Sequence, residues 1–159
     1  MTVVHPLHGP NRFKLGVFSA NADGGLAITD VPERWRASWD DNLAAVKTAD
    51  EAGLEFFLPI ARWRGFGGKN HVREWSFETF TWAAGLAAVT QRIGLFMTVH
   101  VPLVHPVYAA KALATVDHIS RGRAGLNASR PHTIAWLAKI HARPAYQAAL
   151  AKGGPYAYA

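Results

Sequence analysis

The chain has 159 residues, half of them apolar, 18% charged and none of them cysteine, with a net charge of +6. That is enough chain for one domain with its own core and too apolar for a disordered one. Zero cysteines excludes disulfides, thiolate metal sites and a cysteine nucleophile.

Residues 1–12, with two His-rich turns (His5-Pro6 and His8-Gly9-Pro10), read as a loose leader. Phe13 to Phe18 alternates as a strand does, and Asn21 to Gly25 is a loop rich in Asn, Asp and Gly. Ser38 is placed to cap a helix carrying Leu43, Val46 and Ala49, which Gly53 ends. Leu54 to Ile60 is a second strand, apolar almost throughout, as strands covered on both faces are. A glycine-rich loop follows from Arg62 to Gly68. Ser76 is expected to cap the next helix, with Phe77, Phe80, Ala84 and Ala87 on its apolar stripe. Ile93 to Val99 is a third strand. Pro106 opens a third helix with Val107, Ala110, Leu113 and Ala114 on its buried face, and Ala124 to Asn127 begins a fourth strand. Strand–helix units repeating in this way predict an α/β fold with a parallel sheet, though the period alone does not separate a barrel from an open sheet.

After Asn127 the text changes. From His118 onward there is no Asp or Glu, and residues 128–159 carry only Arg130, Lys139, Arg143 and Lys152 as charges. Four spread cations without a recognition motif point away from nucleic acid. Two short helices are expected here, one through Ile134, Trp136, Leu137 and Ile140, the second opened by Pro144 and stopped at Gly153-Gly154-Pro155. No apolar run reaches the roughly 18 residues of a membrane span. Met1 to Pro10 has no secretory pattern, so a cytoplasmic location is expected.

Four stretches carry a resemblance: Lys14 to Phe18, the loop Arg64-Gly65-Phe66-Gly67-Gly68, Ala84 to Ile93 and Ala114 to Asn127. Over residues 13–127 the chain resembles the bacterial-luciferase-like family of flavin-dependent monooxygenases, and the Arg-Gly-Phe-Gly-Gly loop is similar to its pyrimidine monooxygenase branch. The resemblance implies the first three and a half βα units of a (β/α)8 barrel, with reduced FMN at the C-terminal ends of the strands. It implies flavin contacts at Ala61, Arg62, Thr98 and Asn127. It also implies a small organic substrate, O2 and a separate flavin reductase. A whole barrel takes about 250 residues, and its phosphate subsite usually lies beyond strand seven. The chain is therefore expected to hold an incomplete site, with Ala128-Ser129-Arg130-Pro131 departing from the family pattern. Residues 131–156 resemble the C-terminal end of a bacterial glutathione transferase, through Pro131, Trp136, Leu137, Arg143 to Tyr146 and Ala149.

Two functional readings stand side by side: an FMN-dependent monooxygenase, and a non-catalytic truncated or fused chain. In the second, an open half-barrel edge invites self-association. His100 and His105 flank Pro102 and suit acid–base work near neutral pH, with packing roles the plainer reading. They show no metal-ligand spacing with His71 and His118. Asp40, Asp41, Asp50 and Glu51 read as a solvated helix face, and the tryptophans as core or rim.

Overall fold

The computed structural model describes residues 5–126, 139 and 142–153. They divide into one unit ending at Leu126 and a second beginning at Asn127. The first contains β1 (Gly16–Phe18), α1 (Trp39–Glu51), β2 (Phe56–Leu58), α2 (Thr79–Ala87), β3 (Gly94–Met97), α3 (Pro106–Ser120) and β4 (Ala124–Leu126). All the strands are parallel, in the order β1-β2-β3-β4. A doubly wound sheet reverses its strand order at a switch point, and this one does not. Each strand is laid beside the last, as a closing barrel requires. The described part of the second unit includes α4 (Pro144–Gly153), the helix expected from Pro144. The helix expected through Ile134 and Trp136 lies outside the described residues, apart from Lys139.

One sheet face carries the core. Phe57, Leu95 and Met97 pack with Val46 and Ala49 of α1, Trp82, Ala83 and Leu86 of α2, and Ala109 and Val116 of α3. Trp82 is 2% exposed; its ring stacks on Phe57 at 5.5 Å and its Nε1 donates to Asn42 Oδ1 at 2.9 Å. The opposite face, the inside of a barrel, alternates glycines and rings. Gly16, Phe56 and Gly94 are in register, as are Phe96 and Gly125. A Cβ on Gly16 would collide with the Phe56 ring and carbonyl, and one on Gly125 would lie 2.6 Å from the Phe96 ring. Rings lie where neighbours have no side chain, which is how a narrow barrel interior is filled.

Several expectations change. The described part of the leader, residues 5–12, is tied to the sheet. His5 places its ring over Gly94 and edge-on to Phe96 at 5.8 Å, and Asn11 Nδ2 donates to Glu55 Oε1 at 2.6 Å. β2 is covered on its helix side only: Phe57 is buried, Phe56 and Leu58 half-buried. Ser76 does not cap α2. Glu78 does, its carboxylate accepting from Phe80 N at 3.0 Å and Thr81 N at 2.8 Å. Ala84 is only partly buried, while Ala83 and Leu86 are fully so. The buried face of α3 runs through Ala109, Val116 and Ser120, with Val107 59% exposed. Alanines surround that helix, so its apolar periodicity did not single out one face. Asp50 is not on a solvated face: its carboxylate accepts from Gln91 N, Arg92 N and Ile93 N at 2.9, 2.8 and 2.6 Å.

Candidate functional site

The loops leaving the C-terminal ends of β1, β2 and β3 build the site. Their hub is Asn21, fully buried just after β1. Its Nδ2 donates to Ile60 O at 2.9 Å and Phe77 O at 3.1 Å, and its Oδ1 accepts from Ile60 N at 2.9 Å. One amide therefore replaces the ladder bonds lost where β2 ends, satisfying backbone groups that burial would otherwise leave costly. The β1 and β2 loops then pair antiparallel at Ala22 and Ser76, with Asp23 N donating to Trp75 O at 3.1 Å. A buried ion pair between Arg34 and Asp23 braces the β1 loop, and Arg34 Nη1 joins it to the β2 loop by donating to Asn70 O at 2.8 Å.

The glycine-rich loop folds on itself. The Arg62 guanidinium lies 3.6 Å from the centre of the Phe66 ring, a cation–π contact, and Arg73 approaches the same ring at 5.5 Å. Gly65 is obligatory for packing: a Cβ there would lie 2.8 Å from the Glu74 Cα. Ser76 Oγ donates to the Arg62 carbonyl at 2.5 Å, and Thr79 Oγ1 donates to the Thr98 carbonyl at 2.7 Å. The start of α2 thus holds the ends of both β2 and β3.

Between these loops lies an open cleft of about 690 Å³ at the C-terminal ends of β2 and β3. Ala61, Arg62 and Thr98 line it together, as do Trp63, Phe77 and His100. The fourth residue expected in the site, Asn127, lies outside the described residues. Arg62 Nε and His100 Nε2 are buried and find no hydrogen-bond partner among the described residues. Glu78 also lines the cleft, but its oxygens are committed to the helix start. Burial acts to raise its pKa, the donors from Phe80, Thr81 and Thr79 outweigh that, and it stays below its ordinary value. Glu78 is thus an ionised cap and a poor general acid. His105 caps α3, its Nδ1 accepting from Val107 N at 3.3 Å.

A flat, polar-edged ring suits this cleft, whose lining combines aromatic Trp63, Trp75 and Phe77 with small Ala61 and Thr98 and includes Arg62 and His100, each with a buried nitrogen unpartnered among the described residues. FMN carries such a ring, so the residues present fit it. Sequence reasoning gave Asn21 to a loop and Ser76 to a helix cap, and passed over Glu78. The one visible signal was Asn21 placed three residues after a strand's last residue, where a side-chain amide can bond to nearby backbone.

The family profile described as luciferase-like monooxygenase matches residues 13–133. The chain belongs to that family. The pyrimidine monooxygenase RutA of Pseudomonas savastanoi pv. phaseolicola is 39% identical over 113 residues, 71% of this chain and 31% of that protein. The RutA of Methylobacterium radiotolerans is 41% identical over 113 residues, 71% of this chain and 30% of that protein. The chain therefore spans about a third of the length of these curated relatives. Among solved structures, a riboflavin lyase with modified FMN and riboflavin superposes with TM-score 0.60 at 27% identity, over 72% of this chain and 29% of its own. The EDTA monooxygenase of Chelativorans sp. BNC1 superposes with TM-score 0.58 at 24% identity, over 73% and 28%, a likeness of fold alone. The fold is thus a partial luciferase-like (β/α)8 barrel, and the family match runs past Asn127.

Proposed function

We propose that the cleft binds FMN and forms part of the site of an FMN-dependent monooxygenase. Bound and reduced by a separate flavin reductase, FMN supplies the activation of O2 that lets one oxygen atom enter a small organic substrate. The observation that carries this reading is the meeting of Ala61, Arg62 and Thr98 in one cleft at the C-terminal strand ends. In this reading Arg62, held against the Phe66 ring, would donate to the polar edge of the flavin. Ala61 and Thr98 would leave room beside it, Trp63 and Phe77 would give it aromatic neighbours, and Asn127, outside the described residues, is the further flavin contact that the resemblance implies. The relatives named pyrimidine monooxygenase make a pyrimidine the first substrate to test.

The test is thermal unfolding with and without FMN, oxidised and then anaerobically reduced. Saturable binding raises the melting temperature as ligand exceeds its Kd. No shift at high flavin concentration removes the proposal. The non-catalytic reading is favoured by one observation: the described strands form an open sheet whose inner face leaves Phe18 42% exposed. Under that reading the edge strands β1 and β4 are surfaces for self-association, and flavin binding, if present, is not followed by oxygen-dependent turnover.

A further inference from the structure

The stretch before β1 crosses the starts of β1, β2 and β3, at the end of the sheet away from the cleft. Leu15, next to β1, and Glu55, next to β2, exchange bonds: Leu15 N donates to Glu55 Oε2 and Glu55 N to Leu15 O, both at 2.8 Å. Asn11 Nδ2 adds a bond to Glu55 Oε1 at 2.6 Å. Further back, the turn Pro6–His8 sets His5 on the interior face of the sheet, where Gly94 opens β3 without a side chain. A Cβ on Gly94 would lie 3.2 Å from His5 Cε1 and 3.4 Å from its Nε2. The His5 ring meets Phe96 edge-on at 5.8 Å, and Phe96 meets Phe56 in the same way at 6.0 Å. His5 thus extends the row of rings on this face from outside the sheet.

The two ends of this strap are fastened by opposite chemistry. The tie at Asn11 and Leu15 needs an ionised carboxylate. The Asn11 amide, then the Leu15 N–H, hold the Glu55 pKa below its ordinary value, so that tie persists in mild acid. The tie at His5 needs a neutral ring. Its Nδ1 accepts from Leu7 N at 3.3 Å and so caps the turn, through a lone pair that protonation removes. Its Nε2 is buried without a partner among the described residues. The Arg123 carbonyl, which favours the imidazolium, already accepts from Leu95 N at 2.9 Å. His8 and Arg123 set like charge near the ring, against Asp117 of α3. The remaining charged groups at these strand starts are engaged elsewhere: Lys14 Nζ donates to Gly9 O at 2.9 Å, and Arg92 Nη2 to Asp50 O at 2.6 Å. Burial, then His8, therefore leaves the seated imidazole with a pKa below 6.5.

We propose that residues 5–8 are a proton-released latch over the N-terminal end of the interior face. Seated with His5 neutral, they cover Gly94 and Phe96. When His5 gains a proton they swing out about Gly9-Pro10, while Asn11 and Leu15 stay fastened to Glu55. The seated state is full above pH 6.5 and is lost as the pH falls below it, because the released ring binds the proton more readily. The latch is independent of the flavin reading, and residues 5–8 precede the family match, which begins at residue 13.

The test is amide hydrogen exchange in the full chain and its His5→Gln variant, corrected for the intrinsic pH dependence of exchange, about one unit above and about one unit below pH 6.5. Leu7, His8 and Gly9 report the latch, their N–H groups donating to His5 Nδ1, His5 O and Pro6 O. Leu15 reports the outer tie and Leu95 the sheet. One proton can weaken the seated state by at most about tenfold across that interval. Protection of Leu7, His8 and Gly9 is expected to fall about threefold to tenfold at the lower pH, with Leu15 and Leu95 unchanged. In His5→Gln those three amides are expected to show no pH dependence, whatever their level of protection. Equal protection of them at both pH values in wild type overturns the latch. So does a fall shared by Leu15 and Leu95, because acid then loosens the whole end of the sheet. A fall that persists in His5→Gln assigns the proton to another group and overturns the role of His5.

Discussion

Arg123 is 4% exposed and forms no ion pair among the described residues, yet every one of its donors is used. Its side chain donates to Ser120 O, Thr90 Oγ1, Ile93 O, Ala87 O and Thr90 O at 2.7–3.1 Å. It thereby satisfies the last carbonyls of α2 and the turn into β3. Arg123→Met leaves those carbonyls buried and unpaired, and the expected loss is about 3–5 kcal/mol of unfolding free energy in a urea titration. A loss below about 1 kcal/mol would mean water replaces the guanidinium there. His5 makes a second prediction at this scale. Its pKa lies below the ordinary 6.5, first because burial disfavours the imidazolium and then because His8 repels it, while the Arg123 backbone and Asp117 oppose. Arg123 also carries a like charge nearby. The unfolded chain binds the proton more readily, so stability is full above pH 6.5 and falls as the pH drops below it. His5→Gln is expected to flatten that part of the pH–stability curve, and an unchanged slope would show that the leader does not hold its histidine neutral.

At the scale of elements, the site depends on loops tied by side chains rather than by strand ladders. Asn21→Ala removes three hydrogen bonds and leaves Ile60 N, Ile60 O and Phe77 O without that partner. The expected cost is about 2–4 kcal/mol, together with weaker FMN binding, because Ala61 and Arg62 follow Ile60 directly. Wild-type flavin affinity in that variant would show that the β2 loop is held by its other ties. The helices and strands were legible because their apolar residues recur with clear periods, and Ser38 caps α1 as its position predicts, its Oγ accepting from Asp41 N at 3.1 Å. Less was legible at α2, where Ser76 looks like a cap but faces Arg62 while Glu78 reaches the free N–H groups. Choosing between them depends on where the chain turns after the β2 loop, a tertiary matter. Asp50 misled for the same reason. Its carboxylate fills a nest of N–H groups more than forty residues away, which no local pattern announces.

At the scale of the molecule, strand order supplied what the repeat length could not. Parallel strands in the order β1-β2-β3-β4 with helices packed on one face make a barrel segment, and the opposite face is shaped for an interior. The resemblance placed Ala61, Arg62 and Thr98 at one site, and they do line one cleft, although nothing in their spacing along the chain requires it. The run from Ser120 to Arg123, part of the stretch that carries the family resemblance, proves to be a structural lock: Arg121 ends α3 in the left-handed conformation at φ 59°, and Arg123 staples α2. The proposed flavin cleft and this lock thus lie at opposite ends of the sheet, as function and stability do in barrels.

The most direct test of the account is the affinity of the full chain for reduced FMN, measured anaerobically beside that of Thr98→Phe, which adds bulk to the cleft lining, and of Arg123→Met, which lies away from it. Saturable binding by wild type and by the folded fraction of Arg123→Met, with binding lost in a folded Thr98→Phe, is the predicted result. Binding that survives Thr98→Phe unchanged, or no binding by wild type, would contradict a flavin site in this cleft.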